Sequence, residues 1–297
     1  MLHFPVLLEE SVDFLLNDVN GHYIDCTFGR GGHSKLILKK LSQDGLLTGI
    51  DKDPDACEYA IKFHNDNFNI INDSFKNIEK YFKEESINGI LYDLGTCSTH
   101  LDQSERGFSF NKEGPLDMRF NNKIGIPLSA WLENASEEEI RDILYKFGDE
   151  KHAKLISNAI IKSKIKNKIT TTTQLSNIIK DIHPEKNKKI HPATKSFQAF
   201  RIFINNELEE FTESLKAAEK LLKLGGLIVT IAFHSLEDNI IKNFFKPHIV
   251  SFPKDIPINN QKDKKFKCIA KKVRASKDEI NINPRSRSAI MRVFQKI

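Results

Sequence analysis

Cysteine is scarce in this sequence, and its spacing argues against two kinds of stabilised fold. The four cysteines, Cys26, Cys57, Cys97 and Cys268, lie far apart and form no Cys-x-x-Cys pair. Zinc modules and disulfide frameworks use closely spaced cysteines, so we expect neither a metal site nor structural disulfides. Scattered thiols in a chain of 297 residues are typical of the reducing cytoplasm.

Long apolar segments are also missing. No apolar run approaches the roughly 18–20 residues that cross a bilayer. The N-terminus has no basic start and reaches acidic residues by Glu9, which argues against a signal peptide. The 39% hydrophobic and 29% charged residues are ordinary for a globular protein. We therefore expect a cytoplasmic protein with a sizeable core and no membrane partner.

Excess positive charge is confined to one part of the chain. Residues 103–198 hold 17 Lys and Arg against 12 Asp and Glu, which accounts for the whole net charge of +5. Within residues 151–195 the count is 11 against 2. Such a localised basic surface favours contact with a phosphate backbone. A generally lysine-rich proteome is the alternative explanation.

A glycine-rich turn follows the first apolar segment. Residues 25–33 read Asp-Cys-Thr-Phe-Gly-Arg-Gly-Gly-His, between a predicted strand and a predicted helix. Glycines let backbone N–H groups approach a ligand closely. Asp51 ends the next apolar segment, at the spacing from which a carboxylate meets the ribose of an adenosine cofactor. NAD and S-adenosylmethionine (AdoMet) both fit this pattern, because both contain an adenosine ribose. Asp25 favours AdoMet, because the sulfonium and amino acid groups of AdoMet attract a carboxylate.

Strands and helices alternate through the first hundred residues. Strands are predicted at 22–26, 46–51, 68–72 and 87–93. The amphipathic segments between them, near 32–42, 54–63 and 75–85, predict helices and thus a parallel sheet with helices on both faces. Asp93 ends the fourth strand, at the carboxyl edge where such sheets bind ligands.

The pattern changes after the fourth strand. Residues 127–182 are helical throughout, and Ser136 begins a capping-box sequence. Strand signals return at 226–233, after a long helix that is predicted to end at Gly225 and Gly226. Two later runs at 266–273 and 289–294 predict a closing hairpin. The simplest architecture is an α/β, Rossmann-like sheet interrupted by an all-α insertion. The predicted sheet domain covers residues 1–102 and 199–297, and the predicted basic, helical substrate-recognition domain covers 103–198.

Motifs along the whole chain carry a family resemblance. They are Asp93–Asp102 with Glu105–Phe110, Gly114–Arg119, His191–Arg201, Phe233–Asp238 and Asn283–Ala289. Together with the glycine turn, they resemble the bacterial ribosomal small-subunit methyltransferase H family. These AdoMet-dependent enzymes methylate N4 of a cytidine in 16S rRNA.

The resemblance implies a Rossmann-like AdoMet-dependent methyltransferase domain, with 16S rRNA of the small ribosomal subunit as the partner. It implies cofactor contacts at Gly31, Gly32, His33, Asp51, Phe75, Asp93 and His100. The family usually reads Val-Ser-Ser-Pro-Gln where this chain has Thr96-Cys-Ser-Thr-His100, so His100 stands in the place of a glutamine. Whether the chain acts as a monomer or a homodimer stays open.

Methyl transfer to nitrogen is an in-line displacement, in which the protein orients the reactants and excludes water. Because the lone pair of cytosine N4 is delocalised, a nearby acceptor helps the amine to react. Asp93 is the catalytic candidate, and a capping or cofactor-binding carboxylate is the alternative. His191 and His234 are alternative general bases. A covalent role for Cys97 is disfavoured, because attack by an exocyclic amine needs no adduct and the resembled family carries serine there.

A target cytidine must leave its stack before N4 can react. Phe108 and Phe110 are candidates for stacking on the base, with burial in the domain interface as the alternative. Arg106, Arg119 and Arg201 are candidates for phosphate binding or for bracing loops. A methyltransferase of DNA or protein, a nicotinamide dehydrogenase and a non-catalytic ribosome assembly factor remain rival functions.

Overall fold

The computed structural model describes residues 5–183, 191–247 and 265–297. The chain divides into two compact units. The sheet unit comprises Met1–Gly95 and Leu208–Ile297, and the helical unit comprises Thr96–Glu207.

These boundaries differ from the predicted ones at 102/103 and 198/199. Leu101 packs against the core of the helical unit, Phe200 belongs to that core, and Phe203 also packs against it. The segments that flank the insertion therefore join the helical unit. Apolar periodicity alone does not show which of two cores such a segment will join.

The regular elements of the described ranges are as follows. The strands are β1 (His22–Asp25), β2 (Leu46–Ile50), β3 (Phe68–Ile71), β4 (Ile87–Asp93), β5 (Leu222–Ala232), β6 (Phe266–Val273) and β7 (Ile290–Lys296). The α-helices are α1 (Leu8–Leu15), α2 (Gly32–Lys40), α3 (Pro54–Ala60), α4 (Ser98–Asp102), α5 (Leu128–Asn134), α6 (Glu137–Gly148), α7 (Ala153–Lys166), α8 (Thr172–Ile182), α9 (Thr194–Ile204), α10 (Glu207–Leu221), α11 (Ser235–Phe244) and α12 (Lys277–Ile282). Short 3-10 helices lie at Phe75–Lys80, Ser104–Arg106 and Pro284–Ser288.

The strands form one sheet in the order β3-β2-β1-β4-β5-β7-β6. Strands β1 to β5 are parallel, whereas β7 pairs antiparallel with both β5 and β6. The predicted parallel sheet, the final hairpin and the α/β fold class are confirmed. The strand order reverses between β1 and β4, and the carboxyl ends of such strands form the usual ligand crevice of open α/β sheets.

Two predicted elements differ from the observed ones. Residues 75–85 were predicted as an α-helix, but they form the 3-10 helix Phe75–Lys80. The helix before β5 was predicted to end at Gly225 and Gly226, but it ends at Leu221. Leu222 already pairs with Ile87, and the register then shifts before Gly89 meets Leu227. The two glycines thus lie in an irregular part of the strand.

Both faces of the sheet are buried. Tyr23 belongs to the core on one face and its neighbour Ile24 to the core on the other, because side chains alternate along a strand. Helices α1 and α2 contribute Val12 and Ile37 to the first core, and α10 contributes Phe211 to the second. Burial on both faces explains why the central strand β4 and residues 226–232 of β5 are buried at nearly every position.

The helical unit has a core of its own, built by helices α5 to α9. Its fully buried members include Leu144, Ile156, Leu175 and Phe200. The predicted capping box at Ser136 is confirmed, with Glu139 as its partner. None of the helices in the described ranges combines the length and apolar character needed to cross a membrane.

Candidate functional site

The glycine turn connects β1 to α2 and leaves no room for side chains. Gly31 has φ of +69°, and a Cβ there would lie 2.3 Å from Cζ of Phe63 and 2.8 Å from Cζ of Phe28. A Cβ on Gly32 would lie 2.1 Å from Cγ of Pro5. Only glycine fits this conformation without displacing the aromatic cluster. Glycine is therefore required at both positions, because side chains of the protein already fill the space that a Cβ would occupy.

The buried Asp25 side chain holds the glycine turn through hydrogen bonds to residues on either side of the glycines. Its side chain is 1% exposed. One carboxylate oxygen accepts a hydrogen bond from the Ser34 hydroxyl at 2.7 Å, and the other accepts from the Thr27 N–H at 3.1 Å. Burial raises the pKa of Asp25 above its ordinary value. The expectation that Asp25 attracts the charged groups of a cofactor is therefore wrong, because its carboxylate faces the interior and holds the turn.

Asp51 follows β2 and reaches the same turn. Its Oδ2 accepts a hydrogen bond from the Gly29 N–H at 2.8 Å, and its Oδ1 accepts from the Asp53 N–H at 2.9 Å. These bonds fix the carboxylate in one orientation beside the glycine backbone. A fixed acceptor at this strand end suits the ribose hydroxyls of an adenosine ligand.

His33 and Asp93 meet at the point where the strand order reverses. The Asp93 N–H donates to Oγ1 of Thr27 at 2.7 Å, which ties the end of β4 to the end of β1. Nε2 of His33 bonds to the carbonyl of Val6 at 3.1 Å, and Nδ1 lies 3.7 Å from Oδ2 of Asp93. Burial lowers the pKa of His33 to about 4, so the ring is neutral at pH 7.

The bond to Val6 assigns the ring proton of His33 to Nε2, because a carbonyl can only accept. Nδ1 then presents a lone pair toward the carboxylate of Asp93. Two acceptors at 3.7 Å suit a donor that contacts both, such as an ammonium group. This geometry can hold the amino group of an amino-acid-like ligand.

Glu210 connects the ends of two strands and was not anticipated from sequence. This buried residue of α10 accepts hydrogen bonds on Oε2 from Nζ of Lys52 at 2.8 Å and from Oγ of Ser74 at 2.9 Å. Lys52 follows Asp51, and Ser74 precedes Phe75. Glu210 therefore holds the segments that carry two predicted cofactor contacts. No local motif indicates it, because its partners are more than a hundred residues away in the chain.

His100 lies in the helical unit, where its ring is buried among aromatic side chains. Its centroid is 5.0 Å from that of Phe108 and 5.1 Å from that of Phe120. Phe108 is itself 5% exposed and belongs to the helical core. Phe108 is therefore a core residue of the helical unit in this structure. Phe110 is half-buried and stacks on His191, with centroids 4.5 Å apart and an interplanar angle of 11°.

The three candidate arginines are all engaged by protein groups. Arg106 is buried and donates to the carbonyl of Phe120 at 2.6 Å. Arg119 pairs through two nitrogens with both carboxylate oxygens of Asp117, each at 2.7 Å. Arg201 pairs in the same way with Glu207 at 2.8 and 3.0 Å. In this structure these arginines brace the helical unit, which is the second of the two predicted alternatives.

The alternative general bases are held by other contacts. His234 caps α11, where its Nδ1 accepts from the Glu237 N–H at 3.4 Å and its Nε2 lies 3.0 Å from Oε1 of Glu237. His191 is covered on one face by Phe110. Across the described ranges, His, Cys, Asp and Glu side chains form no group of three or more that could hold a metal ion.

Exposed lysines give the helical unit its basic surface. Along α7, Lys154, Lys162 and Lys166 are exposed, and the interval of four residues places Lys162 and Lys166 on neighbouring turns of one side. Lys180 on α8 is also exposed. Residues 184–190 of the predicted basic stretch lie outside the described residues.

Comparison with known proteins identifies relatives along the whole chain. The MraW methylase family matches residues 1–297. A protein of Buchnera aphidicola subsp. Cinara cedri named "Ribosomal RNA small subunit methyltransferase H" is 46% identical over 307 residues, covering 100% of each chain. Proteins of the same name from Marinomonas sp. and Coxiella burnetii are each 42% identical, covering 99% of this chain and 97% and 99% of theirs. The chain therefore belongs to the MraW methylase family.

Proposed function

We propose that this protein transfers a methyl group from AdoMet to N4 of a cytidine in 16S rRNA, acting in the cytoplasm on the small ribosomal subunit. Membership of a methylase family supports methyl transfer, and the name of the relatives supports ribosomal RNA as the substrate. The observation that carries the proposal is the meeting of His33, Asp51 and Asp93 around the glycine turn.

In this proposal the glycine turn and the strand ends form the AdoMet site. Asp51 binds the ribose hydroxyls, and Nδ1 of His33 with the Asp93 carboxylate accepts hydrogen bonds from the amino group. Gly31 and Gly32 approach the ligand through their backbone. Bound AdoMet supplies an activated methyl group on a sulfonium.

Two further cofactor contacts are predicted. Phe75 opens the 3-10 helix after β3, and in this proposal it contacts the nucleoside part of AdoMet. His100 is the seventh predicted contact, at the position where the resembled family usually has glutamine.

The base would react at the end of β4. An acceptor beside N4 takes a hydrogen bond from the amine and helps its nitrogen to pyramidalise as the new bond forms. The Asp93 carboxylate and the backbone carbonyls of residues 94–96 are the acceptors we propose. Phe110 is the remaining candidate for stacking on the flipped base, because Phe108 is buried.

Methylation of small ribosomal subunits tests the proposed reaction. Subunits from cells that lack this protein should accept labelled methyl groups from AdoMet, and the digested rRNA should yield N4-methylcytidine by mass spectrometry. An Asp93→Asn variant should transfer far more slowly, because a neutral amide is a poorer acceptor. Label on another atom of the base, on ribose or only on protein would contradict the proposal.

Asp51→Ala should weaken AdoMet binding about 10–100-fold, because the ribose loses charge-assisted hydrogen bonds of roughly 1.5–3 kcal/mol each. Isothermal titration calorimetry measures the change directly. Asp44→Ala is the matched control, since Asp44 is an exposed carboxylate of the same unit. Equal affinities of Asp51→Ala and wild type would remove Asp51 from the site.

Glu210→Ala should raise the Kd for AdoMet about tenfold, roughly 1.4 kcal/mol, because Lys52 and Ser74 lose the acceptor that orders their segments. Glu210→Gln keeps an acceptor oxygen and should lose less affinity. Glu213→Ala alters an exposed residue one turn further along α10 and should match wild type. If Glu210→Ala binds AdoMet as tightly as Glu213→Ala, the hydrogen bonds from Lys52 and Ser74 to Glu210 do not support the cofactor site.

RNA affinity should fall steeply as salt rises, because lysines that contact phosphates release bound cations. Changing Lys154, Lys162 and Lys166 together to alanine should reduce the slope of log K against log salt by about 2–3. Filter binding of 16S rRNA fragments over a salt series measures the slope. The same triple change at the exposed Lys80, Lys83 and Lys216 controls for net charge. Identical slopes for both triple variants would exclude α7 from the RNA surface.

A further inference from the structure

Cys97 and His100 form a contacting pair at the start of α4. Sγ of Cys97 lies 3.5 Å from Nδ1 of His100 and 2.8 Å from Oγ1 of Thr99. The His100 N–H also donates to the carbonyl of Cys97 at 3.2 Å, which closes the turn that joins the two residues. A thiol is thus within hydrogen-bond reach of an imidazole nitrogen.

The imidazole of this pair is held in place. Phe108 and Phe120 pack against the His100 ring at centroid distances of 5.0 and 5.1 Å, and His100 is 5% exposed. Packing against the two phenyl rings favours the ring orientation that directs Nδ1 toward the sulfur. A nucleophile beside a base that is itself oriented by neighbours is the arrangement that activates thiols in proteins.

The electrostatics of the four thiols differ. Burial raises the pKa of Cys97, but the hydrogen bond and charge of His100 outweigh burial and lower it to about 7. Burial raises the pKa of Cys57 to about 12 and that of Cys26 well above its ordinary value. Cys268 is exposed. Among the described residues, the charge that acts on the Cys97 thiol is that of His100.

We propose that Cys97 and His100 form a thiolate–imidazolium pair that reacts with hydroperoxides, which makes Cys97 a site of oxidative modification. The half-buried position of Cys97 favours a small oxidant over a bulky disulfide. A thiolate reacts with peroxide where the neutral thiol does not. The pair therefore gives the helical unit an oxidation-sensitive position four residues beyond Asp93.

The reaction balances without a further reagent. The Cys97 proton moves to Nδ1 of His100, and the thiolate attacks one oxygen of hydrogen peroxide. The S–O bond forms as the O–O bond breaks, and the departing hydroxide takes the imidazolium proton to become water. Sulfur is oxidised to the sulfenic acid and peroxide is reduced.

Trapping of sulfenic acid in the full-length protein tests this proposal. Protein is treated with hydrogen peroxide and dimedone at pH 7, and the adduct on each cysteine is quantified by peptide mass spectrometry. We expect Cys97 to be labelled about tenfold faster than Cys268, because the thiolate is the reactive form and about half of a thiol with a pKa of about 7 is ionised at pH 7. Equal or slower labelling of Cys97 would overturn the proposal.

His100→Gln separates activation by the imidazole from simple exposure. In this variant Cys97 should be labelled about tenfold more slowly than in wild type at pH 7. The difference should shrink toward pH 9.5, where the Cys97 thiol is ionised in both proteins. His64→Gln changes an exposed histidine of the sheet unit and should leave the Cys97 rate unchanged. If His100→Gln labels Cys97 at the wild-type rate at pH 7, His100 does not activate the thiol.

A second measurement does not depend on trapping. Absorbance at 240 nm reports thiolate, and its pH titration should contain a component with a midpoint near pH 7 that Cys97→Ser removes. Circular dichroism of each variant confirms that it is folded. A titration in which Cys97→Ser removes nothing below pH 8 would contradict the proposed pair.

Discussion

The parallel pairing of β1 with β4 is the contact on which the proposed site depends. Ile24 pairs with Ile90 and Asp25 with Leu91, so the two strands end side by side. The bond from the Asp93 N–H to Thr27 then joins the ends of the two strands. Because the strand order reverses here, the turn after β1 and the carboxylate after β4 share one crevice. Asp51 bonds to the same turn from the end of β2, and Glu210 on α10 holds Lys52 and Ser74.

Much of this arrangement could be predicted from sequence, because periodicity and strand-end position are local signals. The first four strands were located to within a residue at each end. Asp51 and Asp93 were selected because each follows an apolar run, and the sheet brings both to one edge. Their roles toward AdoMet stay predictions, as do those of Phe75 and His100. The capping box at Ser136 was readable for the same local reason.

Other features could not be predicted, because they depend on burial and on distant partners. Arg106 and Phe108 have side chains typical of RNA contacts, yet both lie in the interior of the helical unit. Asp25 has the residue type of a cofactor ligand, but its oxygens bond to Thr27 and Ser34. Glu210 meets Ser74 only because α10 packs on the sheet. Residue type gives the chemistry that is available, and only the tertiary structure shows which groups face a ligand.

The insertion between β4 and β5 has a consequence for synthesis on the ribosome. Strand β4 is central in the finished sheet, but its partner β5 begins only at Leu222. At roughly 5–20 residues per second, one edge of β4 waits about 6–26 s for that partner. An unpaired apolar edge invites aggregation during such a delay. The helical unit emerges in the meantime with its own core, so a nascent chain can gain order there before the sheet closes.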